Sequence, residues 1–332
     1  MINNSVKNII NITNNTDKKK FRILTFPTHE RYQTQLCKTG HDFFEFNLDG
    51  QKKWNTDQCP FPNNYYSLPQ DELLWYLEYD FILSQSKFWQ FQTATKIAEI
   101  INIPIISLEH TVPLVGFQSM QQINSMRNMI GNMNIFISDF SKNIWNLDVD
   151  SHVINHGIDT EIFKPIESIK KDQHILTVAN DFAKRDYCLN YTGWKKITNG
   201  LEVKLVGDNP GVSTSLPIDL LIIEYNKCGI YLNTSTLSPI PTSLLEAMSC
   251  GCAVVSTATC EIPNIIINDF NGYISNDENE LKEYIKLLLN DENKRKELGK
   301  NARDTIIKYY SEQKFIDQWN EILTTAYEVY HT

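Results

Sequence analysis

The 332-residue sequence lacks the short glycine motifs that mark several large enzyme classes. It has no G-x-G-x-x-G sequence, and residues 27–31, which follow the first predicted strand, contain no glycine, so the dinucleotide fingerprint is missing. It also has no G-x-x-x-x-G-K-[ST] loop for a nucleoside triphosphate and no G-x-S-x-G elbow for a hydrolase. Dehydrogenases, P-loop NTPases and hydrolases of these kinds are therefore not expected.

The sequence is also short of positive charge, paired cysteines and long apolar runs. Its formal net charge of −9 argues against a broad face for nucleic acid, and any anion site must be local. Seven cysteines without a C-x-x-C pair, and no recognisable apolar signal segment, predict a reducing, cytoplasmic location. No uncharged apolar run approaches the roughly 18 residues that span a bilayer, which excludes an integral membrane protein and leaves peripheral contact open.

No metal site and no cofactor are expected. Cys250, Cys252 and Cys260 lack the usual zinc spacing and a fourth ligand, so they are interpreted as small buried residues. The sequence also offers no compact cluster of histidine and carboxylate side chains to hold a divalent ion.

The chain is long enough for two domains, and 42% hydrophobic residues are sufficient for a sizeable core. Short apolar strands alternate with helical stretches, which predicts parallel sheets. In the first half, the predicted strands are residues 22–26, 80–84, 103–108 and 134–138, and the predicted helices are residues 87–101 and 118–133. In the second half, the predicted strands are residues 174–179, 203–206, 230–233 and 253–256. Residues 278–331 are predicted to be mostly helical.

The most informative segment is residues 238–256, which run from a strand-end loop through a helix to a glycine and another strand. Thr242 or Ser243 is expected to cap the helix, and Gly251 to end it in the left-handed conformation. A helix N-terminus at the carboxyl edge of a sheet is suited to an anion. Glu246 could accept hydrogen bonds from a ribose diol, or could merely complement the helix dipole.

These residues resemble the donor half of the family 4 glycosyltransferases, also called glycosyl transferases group 1. The resemblance rests on four ordered elements: residues 245–248 (LEAM), 250–256 (CGCAVVS), 261–263 (EIP) and 271–273 (NGY). The linker at residues 155–165 and the strand turn at residues 205–208 are similar to the same family. The resemblance implies a GT-B fold, with two Rossmann-like α/β lobes that face a cleft. It covers roughly residues 21–320.

The resemblance divides the chain into a flexible N-terminal tail, an acceptor lobe, a donor lobe and a C-terminal helix that packs back towards the acceptor lobe. Their expected bounds are residues 1–20, 21–155, 156–310 and 311–332. The implied activity is a retaining, metal-independent transfer from a nucleotide diphosphate sugar, which acts as a co-substrate. The acceptor is unknown and could be a glycan, a lipid or a protein.

The family pattern also assigns roles to individual residues. Glu246 would hold the ribose, and Arg185, with Lys184 beside it, falls where a phosphate-binding lysine is expected. The strand turn would supply Gly207, and the helix start would supply Thr242 and Ser243. The donor-sugar loop would comprise Ser238, Pro239 and Ile240.

In the first lobe, His110 follows an apolar strand, at the edge where ligands collect in open α/β sheets. The resemblance places it beside the donor sugar as the candidate catalytic residue, able to bond a sugar hydroxyl or a phosphate oxygen. Residues 28–31, which begin with Thr28, replace the family's glycine-rich loop, and His29, Glu30 and Arg31 could contact the acceptor. Several aromatic residues could form a sugar-stacking surface or could simply pack in the core: Trp54, Tyr65, Tyr66, Trp75 and Tyr76.

The sequence departs from the family pattern around the donor sugar. The family carries two glutamates eight positions apart, but Ser238 stands eight positions before Glu246. Pro239 and Pro241 replace small residues and cannot donate a backbone hydrogen bond, and Asn180 lies where an arginine is usual. Two alternatives therefore stay open: a degenerate GT-B protein that binds a nucleotide without turnover, and a sugar-nucleotide epimerase.

Overall fold

The computed structural model describes residues 20–26, 29–50, 54–56, 59–87, 89–172 and 174–331. The predicted N-terminal tail lies outside these residues apart from Lys20. The chain divides into two compact units. The first contains the residues up to Phe136, Trp145–Ile154 and the residues from Ile316 onward, and the second contains Ile137–Ile144 and Asn155–Phe315.

The first unit is built on a seven-stranded sheet in the order β3-β2-β1-β4-β5-β6-β7, with all neighbouring strands parallel. Its strands are β1 Arg22–Thr25, β2 Asp42–Glu45, β3 Tyr65–Ser67, β4 Phe81–Ser84, β5 Ile105–Glu109, β6 Met133–Phe136 and β7 His152–Val153. The first three helices are α1 Glu30–Cys37, α2 Trp89–Ile101 and α3 Met120–Arg127. Strand order reverses between β1 and β4, the point at which doubly wound sheets bind ligands.

The second unit is built on a five-stranded parallel sheet in the order β12-β11-β10-β8-β9. Its strands are β8 Ile175–Val178, β9 Val203–Val206, β10 Ile230–Asn233, β11 Ala253–Ser256 and β12 Tyr273–Ile274. The remaining helices are α4 Asp139–Trp145, α5 Asp186–Leu189, α6 Tyr191–Thr198, α7 Ile218–Lys227, α8 Thr242–Ser249, α9 Ile262–Ile265, α10 Glu278–Asn290, α11 Glu292–Tyr309 and α12 Glu312–His331. The order is that of flavodoxin-like sheets, and its switch point lies between β8 and β10.

The central strands are mostly apolar because helices cover both faces of a parallel sheet. Strands β4, β10 and β11 are buried at every position. Within the first unit, the C-terminal helix α12 also packs on the core, since Trp319 is fully buried and Tyr327 stacks on Phe21 at 5.3 Å.

The predicted α/β class and parallel sheets are confirmed, and β9, β10 and β11 have the predicted bounds. The helix predicted over residues 118–133 is wrong in extent, because α3 ends at Arg127 with Asn128 as its C-cap. A Cβ atom on Gly131 would lie 2.9 Å from the Ile105 carbonyl oxygen, so the chain already passes close to β5 there. Apolar spacing alone did not reveal this turn into β6.

Among the described residues, no helix combines the length and apolar character needed to cross a membrane.

Candidate functional site

The helix that carries the family's most recognisable motif starts at the carboxyl end of β10. Helix α8 begins at Thr242 and has Pro241 as its N-cap, without a side-chain hydrogen bond at the cap. The predicted cap by Thr242 or Ser243 is therefore wrong. Pro241 occupies the cap position itself, and the Ser243 hydroxyl accepts a hydrogen bond from Tyr231 Oη at 2.8 Å. The predicted helix stop is confirmed, since Gly251 has a φ of 71°.

Glu246 lies one turn inside α8 and is only 1% exposed. Its Oε2 atom accepts a hydrogen bond from Tyr225 Oη on α7 at 2.8 Å. Burial of a charge is costly unless the charge is paired or hydrogen-bonded. The fold therefore holds this carboxylate in place with a dedicated phenol donor.

The loops after β8 and β9 are joined by asparagine side chains. Asn180 Oδ1 accepts from the Asp208 amide at 2.7 Å, and Asn209 Oδ1 accepts from the Phe182 amide at 2.7 Å. Gly207 lies between these contacts with a φ of 127°, and a Cβ atom there would lie 2.0 Å from the Ala179 carbonyl oxygen. Gly207 is thus required by a close approach of two backbones.

Two basic residues, Lys184 and Arg185, follow the loop after β8. Lys184 and Arg185 are both exposed, and Arg185 occupies the N-cap position of α5 without a side-chain cap bond. Asn180 stands where the resemblance implies an arginine, and its Oδ1 atom accepts from the Asp208 amide. The cationic side chains near the end of β8 are therefore Lys184 and Arg185.

The predicted donor-sugar loop has only one half-buried member. Ile240 is 3% exposed and its side chain packs in the core of the second unit, and Pro239 is buried while its carbonyl oxygen accepts from the Glu261 amide at 3.2 Å. Ser238 is half-buried. The Thr236 amide donates to the Cys188 carbonyl oxygen at 2.8 Å, which ties this loop to the end of α5. Of the three residues, Ser238 is the one with a partly accessible side chain.

Glu261 is a buried residue to which sequence reasoning assigned no role. It is 5% exposed, its Oε2 atom accepts from the Phe140 amide in the first turn of α4 at 2.7 Å, and its Oε1 atom accepts from Asn264 at 2.8 Å. A carboxylate at a helix N-terminus is favourable because it meets unpaired amides and the positive end of the dipole. The E-I-P motif was its only signal, since its partner lies 121 positions earlier in the chain.

In the first unit, His110 follows β5 directly and is half-buried. Its Nε2 atom lies 3.3 Å from Gln85 Oε1, and the ring meets Tyr32 edge-on with centroids 4.5 Å apart. Gln85 follows β4, next to β5 in the sheet, so both side chains emerge at the carboxyl edge. The predicted position of His110 at this edge is confirmed, and its catalytic role stays a prediction.

The residue before His110 fixes the strand end. Glu109 is 1% exposed and accepts from the Lys87 amide at 3.0 Å, the Thr111 amide at 2.9 Å and Thr111 Oγ1 at 2.6 Å. Burial raises the pKa of Glu109, and these hydrogen bonds oppose the rise. Burial also lowers the pKa of Lys87 to about 8, while its Nζ donates to the Met129 carbonyl oxygen.

The segment predicted as an acceptor loop is the start of a helix. His29 is the N-cap of α1, with its Nδ1 atom 3.5 Å from the Tyr32 amide, and Glu30 and Arg31 form the first helical turn. Glu30 Oε1 accepts from the Asn55 amide at 3.4 Å. Thr28, the first residue of that segment, lies outside the described residues. An acceptor role for His29, Glu30 and Arg31 stays a prediction.

The aromatic residues singled out in the sequence do not all pack together. Trp54 lies 4.7 Å from Tyr65 between ring centroids, whereas Tyr66 stacks on Phe44 at 5.1 Å. Trp75 and Tyr76 are 62% and 52% exposed. Tyr65 and Tyr66 separate because successive residues of a strand point to opposite faces.

One D-x-D triplet, Asp148-Val149-Asp150, lies exposed before β7, so it is at the amino edge of the sheet, opposite to the edge of His110. Across the part of the chain that the structure describes, no group of three or more histidine, cysteine, aspartate or glutamate side chains is arranged to hold a metal ion.

Comparison with solved structures defines the fold class. Anabaena Alr3699/HepE, solved in complex with UDP-glucose, is similar at a TM-score of 0.71 and 16% identity, over 92% of this chain and 100% of that chain. Sucrose-phosphate synthase from Thermosynechococcus elongatus is similar at a TM-score of 0.74 and 14% identity, over 93% and 100%. A glycosyltransferase from Rickettsia africae is similar at a TM-score of 0.70 and 14% identity, over 93% and 99%. The chain therefore has the GT-B fold of glycosyltransferases.

A family model narrows this class. Residues 195–305 match the glycosyl transferases group 1, a stretch that contains Gly207, Ser238 and Glu246. The matched residues lie within the second unit, and the match supports the resemblance found in the sequence. No curated protein matches the chain significantly.

Proposed function

We propose that the protein is a retaining glycosyltransferase that moves a sugar from a nucleotide diphosphate sugar to an acceptor hydroxyl. The observation that carries the proposal is the carboxylate of Glu246, held by Tyr225 inside a helix that starts at the carboxyl edge of the second sheet. A buried, oriented carboxylate beside a helix N-terminus is suited to a ligand that combines a ribose diol with phosphate. The group 1 match over the same residues supports this ligand class.

Each part of the donor has a proposed partner in the second unit. Glu246 accepts from the ribose hydroxyls, and the first-turn amides at Thr242 and Ser243, which have no intrahelical acceptor, face the diphosphate. Arg185, with Lys184 beside it, adds positive charge at the end of β8. Because Gly207 carries no side chain, the loop after β9 can lie against the backbone of the loop after β8 at Ala179.

The test of the donor site is a matched pair of substitutions. Glu246→Gln should weaken nucleotide binding by about 1.5–3 kcal/mol, or roughly ten- to a hundredfold, because a hydrogen bond to a charged group is lost. Tyr225→Phe removes the phenol hydroxyl that meets Oε2 and leaves the carboxylate, so it should lower stability more than affinity. Calorimetric titration and thermal melting measure both quantities. Unchanged affinity in Glu246→Gln with normal melting would remove Glu246 from the site.

Recognition of the donor sugar must use contacts other than the family's first glutamate. Ser238 stands at that position, and the neighbouring prolines cannot donate backbone hydrogen bonds. Ser238→Glu restores the carboxylate, and we expect it to hinder the native donor or to change donor preference in a competition assay. Ser238→Ala is the control for loss of the hydroxyl. An unaltered preference in both variants would place the sugar away from this loop.

We propose that His110 contacts the donor sugar and that the first unit, with His29, Glu30 and Arg31, binds the acceptor, whose class is open.

The transferred group is a hexosyl or other glycosyl unit, and we propose transfer without a metal ion. Activity should therefore survive a chelator. Activity abolished by the chelator and restored by manganese would contradict this part of the proposal.

A non-catalytic nucleotide-binding protein is the second candidate, favoured by the loss of the first glutamate at Ser238. Thermal stabilisation by a nucleotide sugar without release of nucleoside diphosphate would support it, and sugar isomerisation without an acceptor would support an epimerase. Screening nucleotide sugars by thermal shift identifies the donor in either case.

All seven cysteines are free thiols, which supports our proposal of a reducing, cytoplasmic location.

A further inference from the structure

The switch point of the first sheet carries a buried amide side chain. Strand order reverses between β1 and β4, and Gln85 follows β4 at this position with 1% exposure. His110 emerges from β5, the next strand in the sheet. Open α/β sheets bind ligands in the crevice at a switch point, so a buried polar side chain there calls for a functional explanation.

Both amide hydrogens of Gln85 point away from His110. Gln85 Nε2 donates to Gln33 Oε1 at 2.7 Å and to Thr25 Oγ1 at 3.1 Å, and the Gln85 backbone amide donates to Gln90 Oε1 at 2.8 Å. The remaining atom, Oε1, lies 3.3 Å from Nε2 of His110. Only a hydrogen-bond donor can satisfy this oxygen.

The neighbours of Gln85 fix the direction of its amide. Gln33 uses its own Nε2 to reach Cys37 Sγ at 3.7 Å, so its oxygen faces Gln85. The Thr25 hydroxyl donates to the Leu83 carbonyl oxygen at 3.4 Å, so its lone pair faces Gln85. Reversal of the Gln85 amide alone would set its oxygen against the Gln33 oxygen, so the Gln33 amide would have to turn with it. In the observed arrangement, Gln85 Oε1 is the atom that faces His110.

A second contact holds the His110 ring from another side. The Tyr32 ring meets the imidazole at an interplanar angle of 88°, and Trp319 Nε1 donates to Tyr32 Oη at 3.2 Å. Tyr32 is 2% exposed and Trp319 is fully buried, so neither can move freely. Both Gln85 and Tyr32 therefore contact the imidazole and restrain its orientation.

We propose that Gln85 is a positioning residue that keeps the proton of neutral His110 on Nε2 and fixes the orientation of its ring. The direction of the hydrogen bond determines the tautomer, because Gln85 Oε1 can accept from Nε2–H but cannot donate to a bare Nε2. The consequence for sugar transfer rests on the proposed function of His110. The tautomer itself does not depend on that function.

The direct test is long-range ¹H–¹⁵N NMR of the histidine side chains in the ligand-free protein at about pH 8, where an ordinary imidazole is neutral. His110→Asn identifies the signal among the seven histidines. We expect a single form of His110 with the proton on Nε2, and a larger share of the Nδ1 form in Gln85→Leu. Asn134→Leu is the matched control, since Asn134 is a buried amide of the same unit that bonds Gly131, and it should leave the His110 signals unchanged.

A conservative variant separates positioning from packing. Gln85→Glu restores an acceptor for Nε2–H and should keep the Nε2 form even though its contacts to Gln33 and Thr25 change. A proton on Nδ1 in the wild type, or the wild-type tautomer in Gln85→Leu, would overturn the proposal. If Gln85→Leu does not fold, the wild-type and Gln85→Glu spectra still decide.

The kinetic readout depends on the proposed transferase activity. Gln85→Leu should lower kcat about tenfold with KM changed less than about twofold, and Gln85→Glu should recover part of the loss. Failure of the proposed function would appear as a wild type without turnover and with the expected tautomer. Failure of the positioning proposal would appear as an active wild type with the wrong tautomer.

Discussion

The two units place candidate residues at corresponding points of their sheets but hold them there in different ways. In the second unit, Gly207 and the Asn180 and Asn209 side chains join two strand-end loops through backbone contacts, and α8 presents Glu246 from a continuous motif. In the first unit, side chains from four separate segments meet: Thr25, Gln33, Gln85 and His110. A sequence motif reports the α8 part of the second unit well, because its residues are neighbours along the chain.

The comparison predicts that the candidate site in the second unit depends on backbone geometry, whereas the candidate site in the first unit depends on buried polar side chains. A substitution that adds a single atom to a loop should therefore strongly lower the stability of the second unit. A change in the protonation of a buried side chain should strongly lower the stability of the first unit. The following predictions test this difference, and their expected effects decrease in order.

Gly207→Ala should destabilise the protein by roughly 3–5 kcal/mol, because the new Cβ atom would lie 2.0 Å from the Ala179 carbonyl oxygen in a backbone conformation that L-residues rarely adopt. Gly211→Ala is the control. Gly211 has a φ of 75° with no atom within 4 Å of the added Cβ, so only the conformational cost of roughly 1–2 kcal/mol applies. Denaturant unfolding measures both. Equal losses would mean that the close contact of the two loops is not essential.

His41 provides the pH test in the first unit. It is 7% exposed, its Nδ1 atom accepts from the Phe21 amide at 3.2 Å, and burial lowers its pKa to about 4. The unfolded chain binds the proton near pH 6.5, whereas the folded protein resists it until about pH 4, so stability falls as the pH drops through this window. The full loss is about 3 kcal/mol.

The measurement is the free energy of unfolding of wild type and His41→Gln from pH 7 to pH 4. The difference between the two curves isolates His41 from nearby carboxylates such as Asp42, whose pKa burial raises and whose contribution has the opposite sign. We expect the advantage of wild type to shrink as the pH falls. Parallel curves would contradict a buried neutral imidazole.

Asn180 tests the smallest effect. Asn180→Ala removes the acceptor of the Asp208 amide and should cost about 1 kcal/mol, since one neutral hydrogen bond is lost. Asn180→Asp keeps an acceptor at the same place and should retain most of the stability. If both variants lost the same amount, the contact between the loops would not rest on this side chain.

The motif around α8 could be recognised from sequence because residues 238–256 are continuous in the chain. The cap of α8 could not be predicted, because Pro241 occupies the cap position and the Ser243 hydroxyl accepts from Tyr231 on strand β10. Glu261 and Phe140 are 121 positions apart, and Gln33 and Gln85 are 52 apart, so no local pattern connects them. Strands β2 and β3 were missed, and β3 has only three residues, fewer than any of the strands that were predicted.

The central claim is transfer of a sugar from a nucleotide diphosphate sugar, and the most direct measurement follows the donor to its products. Purified protein is incubated with the nucleotide sugar that stabilises it best, together with a panel of hydroxyl acceptors, and NMR records nucleoside diphosphate and the anomeric configuration of the product. We expect nucleoside diphosphate release coupled to a glycoside that retains the configuration of the donor. A stabilised protein that leaves the donor intact, or a product of inverted configuration, would contradict the proposed retaining transfer.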